Sequence, residues 1–263
     1  MPLLELETPA EKRANRRSAR APALRPSPTR NTGRSLVNRA LALAMLIPAL
    51  PMMAVTILVV RLTSRGPGIY RQTRVGLRGE TFVMRKIRTM RLDAESHSGP
   101  VWAVQRDPRV TRVGRLIRRL HLDELPQLFN VLHGEMDLVG PRPERPEFTQ
   151  WLSREIPGYL NRLAVRPGIT GLAQINLPPD TDLDSVRRKL ALDLEYIHVH
   201  TLWLDARIVA CTALRLFGVR SAVARRLLGL NRQPVVLAPE ASRSFVADEP
   251  LRPSSQPVVY AGA

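Results

Sequence analysis

The sequence predicts a mainly α fold with a small β-hairpin (α+β), held at a membrane by one Pro-broken re-entrant helix and therefore monotopic. Three observations predict this. The net charge of +17 is split around a single uncharged stretch. Residues 1–39 hold 9 basic and 3 acidic side chains, residues 40–60 hold none, residues 61–120 hold 15 and 4, and residues 121–263 hold 16 of each. The uncharged stretch is 21 residues long, mostly apolar, and carries Pro48 and Pro51 near its middle. Beyond it, apolar residues recur at helical spacing, and strand-like runs are confined to one short region rich in turn residues.

Residues 1–33 are rich in Arg, Pro, Ala, Ser and Thr without apolar periodicity, which predicts a disordered basic tail. Residues 34–62 form the membrane segment. At about 1.5 Å per residue, 21 residues could cross a hydrocarbon layer of about 30 Å. Each internal proline, however, removes a backbone donor and clashes with the preceding turn. Both flanks are basic, and the positive-inside tendency holds both in the cytoplasm. A hairpin dipping into one leaflet satisfies both flanks; a kinked spanning helix is the alternative. Residues 63–230 then form one domain on the cytoplasmic face, and 231–263, rich in Pro and Ser, a second disordered tail.

Within the domain, turn signals at Ser64–Gly68 and Arg78–Glu80 separate β-type runs near Ile69–Tyr70 and Thr81–Met84, predicting a hairpin. Residues 110–120, 124–133, 145–163 and 183–217 predict helices. Arg166–Gly168, Thr170–Gly171 and Leu177–Asp180 predict loops. Cys211, the one cysteine, excludes an internal disulfide framework, and its apolar surroundings predict a core or lipid-facing position. Few aromatics interleave the arginines, which argues against a nucleic-acid partner. The five histidines lack metal-ligand spacing. Asp180, Asp182 and Asp184 predict a capping or solvated acid run.

Four segments could carry chemistry. The adjacent carboxylates Asp123 and Glu124 can divide nucleophilic, proton-moving and metal-binding roles, or serve only as a helix N-cap and first-turn acid. On a continuous helix Arg115, Arg119 and Asp123 would share a face, with arginines placed to hold phosphate or lipid headgroups. In Gly140–Glu144, Pro141 and Pro143 stiffen a turn that presents Arg142, a guanidinium suited to a pyrophosphate. Lys86 and Arg88 alternate with Met84, Ile87 and Met90, as on an exposed edge. Val165–Gln174, with Gly168 and Gly171, allows a close turn but matches neither a P-loop nor a dinucleotide fingerprint.

Taken together, these segments resemble the bacterial sugar transferase family, the monotopic polyprenyl-phosphate phosphoglycosyl transferases. The matching pieces come in family order: the Pro-interrupted segment, Gly66-Pro67, Arg71-Gln72-x-Arg74-x-Gly76, Lys86–Met90, Asp107–Arg115, Leu122–Leu132, Met136–Glu144, Arg166–Gly171 and Asp193-x-x-Tyr196. The resemblance covers about residues 34–217. It implies that Asp123 attacks the β-phosphate of a nucleotide diphosphate sugar, giving a phosphosugar-enzyme ester that polyprenyl (undecaprenyl) phosphate then resolves. It also implies that Glu124 is the partner carboxylate, sharing Mg²⁺ with Asp123 and removing a proton from the acceptor. Arg118 and Arg142, with Lys86 and Arg88, resemble residues that hold phosphate or nucleotide. The product would start exopolysaccharide or another surface glycan at the bacterial inner membrane, beside other glycan-assembly proteins. The competing reading is a non-catalytic membrane-bound scaffold of such an assembly.

Three positions depart from the family pattern. Leu50-Pro51 replaces Ser-Pro at the break, with Pro48 added. Asn38 stands where Asp is common, which predicts a weaker tie to Arg39. Leu177-Pro178-Pro179 replaces Gly-Arg, which bears on the choice of sugar.

Overall fold

The computed structural model describes residues 28–95 and 107–234. Most of the two tails lies outside these residues. Helix α1 (Pro28–Thr63) is followed by strands β1 (Ile69–Val75) and β2 (Thr81–Ile87). Then come α2 (Arg112–Arg119), α3 (Gln127–His133), β3 (Asp137–Val139), α4 (Pro146–Glu155), β4 (Gly168–Thr170) and α5 (Leu172–Asn176). The described chain closes with α6 (Leu183–Val199), α7 (Leu202–Leu216) and α8 (Ser221–Leu227). The expected hairpin is present: β1 and β2 pair antiparallel from Ile69–Ile87 to Val75–Thr81. The helices expected at 145–163 and 183–217 are each divided. The first becomes α4 plus a 3₁₀ segment at Tyr159–Ala164, and the second becomes α6 and α7, parted at His200–Thr201.

Helix α1 begins inside the stretch read as a tail and is 36 residues long, unbroken through Pro48 and Pro51. No turn-back appears at the prolines where a re-entrant hairpin was expected. The burial pattern supplies a reason. Arg34, Asn38, Ala42, Leu46, Ala49, Met53, Thr56 and Val60 form one buried stripe at helical spacing along the whole segment. Both prolines lie on the opposite, exposed face. A proline ring bends a helix away from itself, so rings on the outer face favour curvature around the domain. The outer face is apolar, with Leu41, Leu43, Ile47, Val55, Leu58 and Leu62 all at least half exposed. Among the described residues α1 is the one helix long and apolar enough to cross a membrane.

The same stripe belongs to the main core, which joins Leu46 and Met53 to Ile87, Leu128, Val131, Met136, Leu172, Tyr196 and Ile208. Polar contacts fix the start of α1. Arg34 Nε donates to Asp205 Oδ2 at 2.8 Å and Arg34 Nη2 to the Val139 carbonyl at 2.9 Å. Tyr196 Oη bridges Arg34, Asp205 Oδ1 (2.7 Å) and the same carbonyl (3.0 Å). Burial of this pair is compatible with folding because every charge has a partner.

One feature was not expected. Strands β3 and β4 pair in parallel, where no element was expected at Asp137–Val139 and loops were expected around Gly168–Thr170. Gly168 makes the pairing possible: a Cβ there would lie 2.0 Å from the Gly140 nitrogen. The acid run resolves as a cap, with Asp182 Oδ1 accepting from the Ser185 amide at 2.7 Å at the start of α6. Cys211 is fully buried.

Candidate active site

The site is built on a short 3₁₀ turn, Leu122–Glu124. His121 precedes it with φ of 54°, in the left-handed region that non-glycine residues seldom adopt. That residue ends α2 and redirects the chain. The expected shared face of Arg115, Arg119 and Asp123 is therefore lost, and Arg115 and Arg119 are exposed. Arg118 turns inward instead. Its Nε donates to Thr89 Oγ1 at 2.8 Å, and Asp123 and Asp107 are the carboxylates that most oppose the loss of its charge. Thr111, rather than Asp123, caps a helix here, accepting from the Gly114 amide at 2.8 Å.

The two carboxylates occupy different environments. Asp123 is only 8% exposed and, among the described residues, makes no hydrogen bond or ion pair. Burial, reinforced by Glu124, raises its carboxyl above the ordinary value, while Lys86, Arg118 and Arg142 pull the other way. Glu124 Oε1 accepts from Arg142 Nη2 at 2.5 Å and from Lys86 Nζ at 3.3 Å. Burial opposes its charge, yet Arg142 and Lys86 hold the carboxyl well below the usual carboxylate range. Burial also lowers the Lys86 ammonium to about 8, with Glu124 opposing. Glu124 in turn holds Arg142 above its ordinary value.

Arg142 is set in place by its own backbone. Its carbonyl accepts from Arg162 Nη2 at 2.9 Å, and the Pro143 carbonyl from Arg74 Nη1 at 3.1 Å. The Pro141 carbonyl accepts from the Gly168 amide at 2.9 Å, so the Val165–Gln174 segment supports the Pro141–Pro143 turn. Arg162 is itself locked by Asp193 Oδ2 at 2.7 Å, and Glu144 by Lys189 at 2.8 Å. Burial works against ionised Glu144, but Lys189, Arg162 and Arg74 bring it to about 2.

Asp123, Glu124, Lys86, Arg118 and Arg142 are thus brought together. Arg88 is not among them. Its guanidinium donates to Ser64 Oγ at 2.9 Å and to the carbonyls of Ser64 and Arg65, clasping the turn between α1 and β1. Strand alternation would put Lys86 and Arg88 on one face, but Arg88 lies past the end of β2, and its guanidinium follows the Ser64–Gly66 turn instead. The supports Arg74, Arg162 and Lys189 were missed as site residues. They act through backbone carbonyls and buried ion pairs, which leave no local pattern in the sequence.

The donor set suits a hard cation. Among the described residues no group of three or more metal-binding side chains occurs. Two adjacent carboxylates, one with uncommitted oxygens, match what Mg²⁺ needs when substrate phosphates and water complete its shell.

A family model described as bacterial sugar transferase matches residues 29–218. This chain belongs to the bacterial sugar transferase family. Over 159 residues it is 46% identical to a UDP-N-acetylgalactosamine-undecaprenyl-phosphate N-acetylgalactosaminephosphotransferase of Aeromonas hydrophila, covering 60% of this chain and 37% of that protein. Over 191 residues it is 39% identical to a UDP-glucose:undecaprenyl-phosphate glucose-1-phosphate transferase of Xanthomonas campestris pv. campestris, covering 72% and 40%. An exopolysaccharide production protein PSS of Rhizobium leguminosarum bv. phaseoli is 39% identical over 173 residues, covering 64% and 86%. The chain therefore spans about two fifths of the first two relatives and most of the third.

Against the family pattern, this chain places Asn38 differently from the expectation of a tie to Arg39. Asn38 Nδ2 donates to the Arg34 carbonyl at 2.9 Å, and its Oδ1 accepts from the Leu138 amide at 2.8 Å. An amide can do both, whereas a carboxylate could only accept. The Leu177–Pro179 loop leads to Asp180, whose Oδ2 pairs with Lys189 at 2.6 Å behind Glu144.

Proposed function

We propose that this protein is a phosphoglycosyl transferase that moves a sugar-1-phosphate from a nucleotide diphosphate sugar to polyprenyl phosphate, through a covalent intermediate on Asp123. The observation that carries the reading is the contrast between two adjacent carboxylates: Glu124, half-buried and tied to two cations, and Asp123, buried with its oxygens free. A scaffold has no need of an unpaired buried carboxylate, which destabilises the fold that holds it. The names of the family relatives support a glycosyl-1-phosphate transfer to undecaprenyl phosphate and, for one of them, exopolysaccharide production.

In the first step an Asp123 oxygen attacks the β-phosphorus of the donor. The bond from that phosphorus to the bridging oxygen breaks, and the nucleoside monophosphate leaves with the electron pair. In the second step a phosphate oxygen of the acceptor attacks the same phosphorus and restores the Asp123 carboxylate. Both steps concentrate negative charge on non-bridging oxygens, and Arg118, Arg142 and Lys86 supply fixed positive charge around them. Mg²⁺, held by Asp123 and Glu124, would neutralise further phosphate charge. A carboxylate as strongly stabilised as Glu124 is a weak base. Its fitting role is to orient Arg142 and Lys86, and an acceptor phosphate with a second pKa near ~6 is already ionised at neutral pH. The test is to mix the protein and Mg²⁺ with a panel of nucleotide diphosphate sugars. One donor should release about one equivalent of nucleoside monophosphate before acceptor is added; no release from any donor would refute the reading.

The Lys86 ammonium gives the rate a basic limb. Below about pH 8 Lys86 is charged and assists phosphate binding; above it the charge is lost and kcat/KM falls. Lys86→Arg should move this limb upward by more than one pH unit, and an unchanged limb would assign it to another group.

We also place the exposed apolar face of α1 in the membrane, with the catalytic domain on the cytoplasmic face. Cysteines introduced at Arg20 and Glu80 should both react with an impermeant reagent only after the cytoplasmic face is opened; labelling from opposite sides would show a spanning helix. The buried Cys211 gives little background.

A further inference from the structure

Beside the carboxylate cluster, α1 and the hairpin enclose an open groove of about 380 Å³, lined by Leu50, Met53, Ala54 and Ile57 of α1, Ile69, Arg71 and Arg85 of the hairpin, and Pro126 and Phe129. Its volume lies within the roughly 300–1,000 Å³ of small-molecule sites. Two features mark it as built for an amphiphilic anion. One wall is the helix whose outer face is apolar, and the opposite wall carries two arginines. Those arginines are direct cross-strand partners in the β1–β2 register. Like charges in that position are destabilising, and among the described residues neither guanidinium has a hydrogen bond or a carboxylate partner. A phosphate between them removes the repulsion and matches guanidinium geometry.

We infer that this groove is the entry site for the acceptor lipid, with its phosphate on Arg71 and Arg85 and its first isoprenoid units along Leu50–Ile57. The inference rests on the proposed transfer reaction and assigns it a binding site that the catalytic residues do not supply. The position suits the task. Lys86, next along β2, reaches Glu124 from the other face of the hairpin, while Pro126, which lines the groove, follows Asp123 by three residues. A lipid resting in the groove thus borders the Leu122–Pro126 turn that carries the reacting carboxylate, with its chain against the membrane helix.

The test separates the two half-reactions. Arg71→Gln, Arg85→Gln and the double variant are made in the full chain, with Ala54→Trp to fill the apolar end. Nucleoside monophosphate release from the donor alone is measured first. Transfer is then measured against polyprenyl phosphate titrated in phosphatidylcholine vesicles, and repeated in vesicles containing phosphatidylglycerol. Monophosphate release should match wild type, while the acceptor KM rises about 10-fold or more in the double variant, the loss expected of a charge-assisted contact. Ala54→Trp should raise the KM of a long-chain acceptor more than that of a short-chain one. Wild-type acceptor KM in the arginine variants, with weakened binding only to anionic vesicles, would make the pair a headgroup contact and overturn the inference. Loss of monophosphate release would move the pair to the donor side and overturn it equally. A wild-type protein that releases no monophosphate would overturn the transfer reaction itself, and this inference with it.

Discussion

Asp123→Asn is expected to abolish transfer while leaving a protein at least as stable as wild type. Removal of a covalent nucleophile costs on the order of 10⁴- to 10⁶-fold in turnover, and no neighbouring group can replace it. Glu124 is tied through Oε1 to Arg142 and Lys86, and a carboxylate stabilised so strongly is a poor nucleophile. The stability half follows from the sign of the Asp123 shift. Burial and Glu124 raise its folded-state pKa, so the neutral form favours folding and the charged form opposes it. That favourable contribution is present below the unfolded pKa and lost as pH rises through the folded one. At neutral pH Asn restores it by mimicking the neutral form. The melting temperature should therefore hold or rise, measured by thermal unfolding beside the transfer assay. Turnover within about tenfold of wild type would end the assignment of Asp123 as nucleophile.

Asp193→Asn is expected to have the largest effect on the fold around the site. The Arg162–Asp193 pair is 3% exposed on both sides, and Arg162 also donates to Tyr159 Oη at 2.9 Å. Removing the carboxylate leaves a buried guanidinium without its counter-charge, which costs about 3–5 kcal/mol. For a domain of this size that is roughly 6–20 °C in melting temperature. The consequence reaches the chemistry through one bond, from Arg162 to the Arg142 carbonyl. With that bond loosened, Arg142 loses its fixed position against Glu124, and activity should fall even at temperatures where the variant remains folded. A variant with wild-type melting and wild-type turnover would show that this pair does not position Arg142.

How far these features could be read in advance depended on whether they were local. The hairpin was legible because turn residues bracket short β-type runs on both sides. Asp123, Glu124 and Arg142 stood out locally as a carboxylate pair and a guanidinium between two prolines, but those patterns fit a helix cap and a rigid surface turn equally well, and their roles came only from the family resemblance. The parallel β3–β4 pair was not legible, since it joins Asp137–Val139 to Gly168–Thr170 through glycines that look like loop residues. Arg88 was misplaced because alternation alone does not show that it clasps the Ser64–Gly66 turn. The expected turn-back in α1 came from the two prolines and the basic flanks, without the packing of the helix on the domain. The buried stripe from Arg34 to Val60, visible only against the folded domain, keeps the helix along the protein throughout. The supports Arg74, Arg162 and Lys189 act across 69, 20 and 45 residues respectively, a reach that no window of sequence reveals.

The central claim is that Asp123 becomes covalently attached to the sugar phosphate. The most direct measurement is mass spectrometry of the full-length protein after incubation with Mg²⁺ and the accepted nucleotide diphosphate sugar, without polyprenyl phosphate. The account predicts a mass increase equal to one sugar phosphate, mapped to the peptide containing Asp123, absent from Asp123→Asn and lost when polyprenyl phosphate is added. Product formation with no adduct under rapid quenching, or an adduct on any other residue, would contradict it.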